Sequence, residues 1–303
     1  MIVINSVFPV FALILLGSVL KARGFVESSF LRSADRLTYF ILFPALLFWK
    51  IAGGSGGDLP KGLCMAAITA LAVVYLLSTL YIVLMKVPAF AAGSFSQGCY
   101  RFNTYMGMAI IMSALGEEGI RTFGVLIGLT IPTINVLAVA TLIWFSGRKQ
   151  APAERIRLTV KALLSNPLVI ACACGILYAR IAPPLPLAVD NTLRLLAMPA
   201  LPLALLSIGG SLTFAGFRQH LRLSLVTAGF KLVVFPAAGL LCLKLFSVTG
   251  LHFRVGMIFF TLPTSTAIYV LSSQLNSDTD LALSAIVLST LLSAFTLSAA
   301  LLI

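Results

Sequence analysis

Residues 259–266 read Phe259-Phe260-Thr261-Leu262-Pro263-Thr264-Ser265-Thr266, in the middle of an apolar stretch near 253–274. As a helix, a stretch of that length crosses a hydrocarbon core about 30 Å thick. Pro263 has no amide hydrogen and its ring crowds the preceding turn, so the helix is expected to break there. Hydroxyls on Thr261, Thr264, Ser265 and Thr266 stand close enough to satisfy the freed carbonyls. Non-helical backbone at membrane depth is tolerated only where protein or a water-filled cavity covers it, and transporters build their solute sites at such interruptions.

Outward from this segment, the whole chain reads as membrane-embedded. It has 303 residues, 60% hydrophobic and 10% charged, with a mean hydropathy of +1.07. That composition excludes a soluble globular domain. Ten apolar stretches fall near 2–20, 33–52, 62–85, 96–115, 120–145, 159–178, 187–212, 221–246, 253–274 and 279–302. The expected fold class is an all-α integral membrane protein with ten transmembrane helices. No Lys or Arg precedes the first stretch while Lys21 and Arg23 follow it, so it reads as a span rather than a signal peptide.

The net charge of +12 would suggest nucleic acid in a soluble protein. Here the cations sit in short loops between spans, so the lipid bilayer is the expected partner and nucleic acid is not. With the N-terminus outside, twelve of the 21 Lys and Arg fall inside, among them Lys21, Arg23, Lys86, Arg148, Lys149 and Arg155, and seven fall outside, among them Lys50, Lys61 and Arg121. The excess of inner cations predicts both termini outside and the 146–158 loop inside. The five cysteines lie in or beside apolar runs and do not suggest a disulfide framework. Cys172 and Cys174 are two apart, which on a helix points them to different sides and favours packing over metal binding.

The two halves carry the same punctuation. Pro9 and Gly17 in span one match Pro167 and Gly175 in span six; Pro44-Ala45-Leu46 with Gly53-Gly54 in span two matches Pro199-Ala200-Leu201 with Gly209-Gly210 in span seven. At an offset of 160, Asn103-Thr104 stands opposite Pro263-Thr264, Leu115 opposite Leu275 and Glu118 opposite Asp278. Five spans per half is an odd number, so the second half enters the membrane the other way up. Two inverted five-helix repeats are expected, residues 1–145 and 159–303, joined by a cytoplasmic loop at 146–158.

Span four supplies the partner break at Arg101-Phe102-Asn103-Thr104-Tyr105-Met106-Gly107, which has no proline and is expected to be softer. Arg101 stands near its start and Lys231 about ten residues into span eight. A cation at that depth costs roughly 2.5–3.5 kcal/mol on insertion scales, so each faces a cavity or a partner, or snorkels to the surface. The nine acidic residues fall at span ends or in loops, and no carboxylate marks a proton or sodium relay at mid-membrane. The cavity is therefore expected to be net positive and suited to an anion. Asn135, flanked by Pro132 and Thr133, offers either a neutral solute contact or a packing contact between helices. His220 and His252 are assigned to opposite faces, and no G-x-x-x-x-G-K-[ST] loop is present. Enzymatic activity, a cofactor, a metal centre and ATP-driven pumping are not expected.

These residues resemble the auxin efflux carrier family over the entire chain. The resemblance is carried by Phe8-Pro9-Val10-Phe11, Phe43-Pro44-Ala45-Leu46-Leu47-Phe48, the Arg101–Gly107 run, Gly116-Glu117-Glu118-Gly119, Asn166-Pro167-Leu168 and Leu262-Pro263-Thr264. It implies a bile-acid symporter-like fold, with broken helices four and nine crossing in a mobile domain, and spans one, two, six and seven forming a scaffold. It also implies elevator-like transport in a bacterial inner membrane. By motif position, Asn103, Thr104, Pro263 and Thr264 would be crossover residues and Asn135 would lie near the substrate. Met108-Ala109 after Gly107 departs from the proline many members carry there. The expected function is export of a small organic anion, a carboxylate, with Arg101, Lys231 and Ser265 completing the binding set. A channel-like or receptor-like protein, or a sodium-coupled importer using the oxygens around Pro263, is the alternative. A second copy of the chain, in a homodimer, is the protein partner expected.

Overall fold

The computed structural model describes residues 2–53, 60–145, 165–181, 184–211, 217–274 and 276–303. The connection at 146–158, the cations Arg148, Lys149, Arg155 and Arg157, and the repeat positions Gly54 and Leu275 lie outside the described residues. Every regular element described is helical: α1 (Ile2–Ala22), α2 (Ser28–Leu37), α3 (Phe43–Ala52), α4 (Lys61–Leu84), α5 (Ala89–Tyr100), α6 (Thr104–Phe145), α7 (Pro167–Ile181), α8 (Leu187–Ala197), α9 (Ala200–Ser211), α10 (Phe217–Gly229), α11 (Phe235–Leu245), α12 (Gly250–Thr261), α13 (Ala267–Gln274) and α14 (Thr279–Leu302). Among the described residues, six continuous helical stretches are long and apolar enough to cross a membrane. One of them, Ala89–Leu142, spans 54 residues and far exceeds a single crossing. It is interrupted at Arg101–Asn103 and again at Gly116, whose φ of 65° and ψ of −155° lie outside the helical region. Such a backbone favours glycine.

Two π-helical segments, Thr38–Leu42 and Phe230–Val234, each lead directly into a Phe-Pro pair, Phe43-Pro44 and Phe235-Pro236. Proline removes one donor and its ring collides with the carbonyl four residues back, and widening the preceding turn relieves both without ending the helix. The second segment contains Lys231.

The chain forms two compact units, each drawing on both halves of the sequence. The first comprises Met1–Lys61, Tyr105–Leu129 and Leu164–Leu212. In it α1 packs on α9 and α7 packs on α3. Gly17 lies on the backbone of Leu206 and Gly209 on that of Ile14, while Gly175 meets Ile51 and the Phe48 carbonyl. Absent side chains let backbones approach closely, the usual glue of membrane helices. The buried Cys172 fills the space beside Gly128, and Cys174 points outward as the spacing predicts. At one end Lys50, only 7% exposed, holds Glu117 with both carboxylate oxygens at 2.6 and 2.8 Å, directly after the Gly116 kink. The Trp49 indole donates to Asp190 at 2.7 Å.

The second unit comprises Gly62–Thr104, Thr130–Leu163 and Thr213–Ile303. It contains a duplicated local structure. Lys86 and Ser247, 161 residues apart, both take a left-handed backbone (φ 50° and 51°) just past the ends of α4 and α11. The closing bonds correspond: Met85 N–H to Tyr81, Lys86 to Val83 and Val87 to Ile82 in one, and Phe246 to Cys242, Ser247 to Lys244 and Val248 to Leu243 in the other. A 12-residue helix follows each turn, α5 and α12, and each ends in an extended residue, Arg101 (ψ 139°) and Leu262 (ψ 145°). Helix ends therefore align Arg101 with Leu262 and Phe102 with Pro263, one residue from the register read off the Asn103 and Pro263 motifs. The proline lies inside its break, and the helix stops at Thr261, before the pre-proline Leu262.

The glycine contacts generate a prediction. A Cβ on Gly209 would fall inside the Ile14 carbonyl, so Gly209→Val must separate α1 from α9 at a cost of about 3 kcal/mol or more. Gly229 has helical backbone and open space, and Gly229→Ala should be neutral or stabilising by roughly 0.5–1 kcal/mol. Size exclusion of detergent-solubilised protein after a heating series should show early loss of the first variant and none of the second.

Candidate functional site

The site forms where α5 and α12 stop. Leu262 precedes a proline and is thereby held extended. The α5 break needs no proline and is no softer: Arg101 is fully extended, and the chain leaves the helix over Arg101–Asn103 before α6 begins at Thr104. What stabilises it is the other break. The Asn103 amide donates to the Pro263 carbonyl at 2.9 Å, and the Thr264 hydroxyl donates to the Gly98 carbonyl at 3.0 Å. Thr264's own amide donates to the Ser289 hydroxyl on α14 at 3.1 Å.

Each helix end leaves carbonyls without an intrahelical partner, and a buried orphan is costly. On α12 the Phe260 carbonyl accepts from Lys231 Nζ at 3.4 Å and the Thr261 carbonyl from Thr296 at 3.2 Å. On α13 the Ser265 hydroxyl accepts from the Ala267 amide at 3.2 Å, an N-cap interaction. The hydroxyls flanking Pro263 therefore do not serve the carbonyls at the end of their own helix, which are met by Lys231 and Thr296; Thr264 serves the opposite broken helix and Ser265 accepts from an amide.

The two cations differ. Half-buried Arg101 donates from Nη2 to the Asn135 side-chain oxygen at 3.1 Å and from Nη1 to that of Gln97 at 3.3 Å. Both are neutral amides, which orient the guanidinium at the break. Lys231 is 0% exposed, with its ammonium over the Phe235 ring at 4.3 Å. Among the described residues no carboxylate lies within ion-pair distance of it. It sits at the C-terminal, negative end of the α12 dipole, which favours a cation there. The α6 and α13 N-termini add positive potential on the far side of the breaks.

All eight residues singled out from the sequence, Arg101, Asn103, Thr104, Asn135, Lys231, Pro263, Thr264 and Ser265, belong to the second unit. The structure joins Asn103, Pro263 and Thr264 directly and pairs Arg101 with Asn135. Lys231 reaches the end of α12 but touches neither break residue by hydrogen bond, and Thr104 contributes by position, as the first residue of α6. Sequence reasoning missed Gln97, Ser289 and Thr296. Gln97 could have been found one helical turn before Arg101, and Ser289, Ser293 and Thr296 recur at helical spacing on one side of an apolar helix.

With this geometry in place, the relatives can be compared. A family described as "Membrane transport protein" matches residues 2–301. The chain belongs to the auxin efflux carrier family. It is also 26% identical over 204 residues to a protein of Rhizobium meliloti (strain 1021) named "Putative malonate transporter", covering 66% of this chain and 63% of that relative. The chain thus spans less than two thirds of the curated relative it matches. Its family and its long apolar helices make it a multi-pass membrane protein.

The crossing bond is testable. Thr264→Val keeps volume but orphans the buried Gly98 carbonyl, a loss of about 1–3 kcal/mol. Thr264→Ser keeps the hydroxyl. Thermal unfolding in detergent should separate them, with the serine variant close to wild type and the valine variant clearly destabilised.

Proposed function

We propose that this carrier exports a small organic anion, a carboxylate, across a bacterial inner membrane by elevator-like alternating access. The observation that carries the reading is the crossing of two broken helices beside Arg101, whose positive charge is held by neutral Asn135 and Gln97. An anionic solute at the break would meet this guanidinium and the α6 and α13 N-termini, with the buried Lys231 charge contributing from behind the α12 end. Asn103, Thr104, Thr264 and Ser265 would supply hydrogen bonds around the Pro263 break. The name of the relative makes a dicarboxylate such as malonate the first solute to try.

The proposed architecture is ten transmembrane helices in two inverted five-helix repeats, 1–145 and 159–303, with both termini outside. Two observations support it. The turn, helix and break recur with a spacing of 161 residues, and span one packs on span seven as span six packs on span two. With no carboxylate in the crossing, the simplest energetics is uniport, in which an inside-negative potential drives anions outward. That contributes roughly 2.3 kcal/mol per charge per 100 mV, a gradient of about fiftyfold.

The test is counterflow in proteoliposomes. Internal unlabelled malonate, within a panel of carboxylates, should accelerate entry of the labelled compound, and an inside-negative diffusion potential should drive its efflux without sodium. Efflux that ignores the potential and requires a sodium gradient would replace uniport with sodium coupling through the oxygens around Pro263. Flux without counterflow would replace the carrier with a channel. Arg101→Gln and Lys231→Met should each weaken the apparent affinity by about tenfold or more, about 1.4 kcal/mol, in normally folded protein.

A further inference from the structure

Asp278 looks in sequence like a loop carboxylate between spans nine and ten, yet in the structure it is only 7% exposed. Its Oδ1 accepts from the Leu281 amide at 2.9 Å as the N-cap of α14, and its Oδ2 lies 3.6 Å from Nδ1 of His220 on α10. Its own amide donates to the Phe90 carbonyl in the first turn of α5 at 3.0 Å. Ser277 donates to the same carbonyl at 2.8 Å, and the buried Ser94 hydroxyl lies 2.8 Å from that of Ser272 and 3.0 Å from that of Ser277. Asp278 thus links three helix ends, its amide holding the beginning of α5 and its carboxylate capping α14 and meeting α10, and α5 carries Gly98 and Arg101 at its other end.

Histidine is the side chain that changes charge between pH 5 and 8. We propose that His220 and Asp278 form a proton-binding switch that regulates the crossover. With His220 protonated the ion pair braces α10 against the α5 and α14 starts, and with His220 neutral the brace relaxes. The consequence for transport rests on the proposed function of the crossover, whereas the brace itself does not.

Among the described residues, Asp278 is the one carboxylate within ion-pair distance of His220. On α10, Arg222 is exposed. On α14 the other acid is exposed Asp280; α5 offers Cys99 and Tyr100, both at its far end, and the adjoining π segment offers Lys231, about 16 Å along the helix axis. Against Asp278, α13 brings Tyr269, and α12 brings His252 and Arg254 at its remote end, since Thr261 contacts Thr296, well beyond the α14 start.

The experiment is hydrogen exchange of the full-length carrier in detergent at pH 6 and pH 8, corrected for intrinsic rates. Amides of Ala91–Ser94 and Leu281–Ala282 should be about fivefold better protected at pH 6, the size of a partly exposed ion pair. In His220→Gln, and in Asp278→Asn, which keeps the cap but not the charge, that difference should vanish. His220→Lys, charged at both pH values, should hold the pH 6 protection throughout. A pH dependence in these variants equal to wild type, or none in wild type, overturns the switch. Malonate counterflow of wild type and His220→Gln at the two pH values forms the second arm: a pH effect in wild type that the variant lacks supports regulation. Absence of counterflow in all proteins while the exchange pattern stands overturns the transport reading and leaves the switch intact.

Discussion

A helix that ends inside a protein buried in hydrocarbon must find new partners for its last carbonyls and next amides, because no bulk water is there to take them. α5 and α12 meet this constraint by answering each other. The Asn103 amide, the Pro263 carbonyl, the Thr264 hydroxyl and the Gly98 carbonyl close a ring of backbone and side-chain bonds, so neither break is stable in its present form without the other. Ser289, Thr296 and Lys231 complete the set. The crossing is thereby fixed in position by polar satisfaction rather than by apolar packing, which is non-directional.

The same economy shapes the electrostatics. A buried cation next to a carboxylate would be neutral to a passing anion. Asn135 and Gln97 instead hold Arg101 by their carbonyl oxygens, and a phenyl ring with a helix C-terminus holds Lys231. In the second unit these cations stand by the crossing, while Asp278 acts at the start of α14, in capping and beside His220. In the first unit the pattern reverses: Lys50 and Glu117 pair directly beside the Gly116 kink, and cohesion comes from glycines that let α1 and α9, and α3 and α7, approach backbone to backbone. A unit bound by close backbone contact suits a rigid role, and a unit bound through hydroxyls and amides around interrupted helices suits binding.

The matching family, described as membrane transport proteins, covers residues 2–301 of the chain. The physical grounds for the proposed anion are local: Arg101 beside the crossing, two helix N-termini, and hydrogen-bonding groups at the breaks.

Much of this was legible in the residues. Composition and the length of the apolar stretches determine a polytopic helical protein, because the period of the bilayer is imposed on the chain directly. Pro263 marks a break through its own covalent structure, and the eight candidate residues prove to share one unit. The α5 break was underestimated because nothing local in Arg101-Phe102-Asn103 forbids a helix; its cause is the Pro263 carbonyl, 160 residues away. The one-residue register between the repeats, the burial of Asp278 and its meeting with His220, and the choice of Gly98 as the Thr264 acceptor were equally out of reach. Sequence alone determined which groups would be left without partners, since that follows from covalent chemistry and hydropathy. Only the tertiary structure decided which distant groups answer them, since hydrogen bonds are short and directional and their partners are chosen by where the packed helices end.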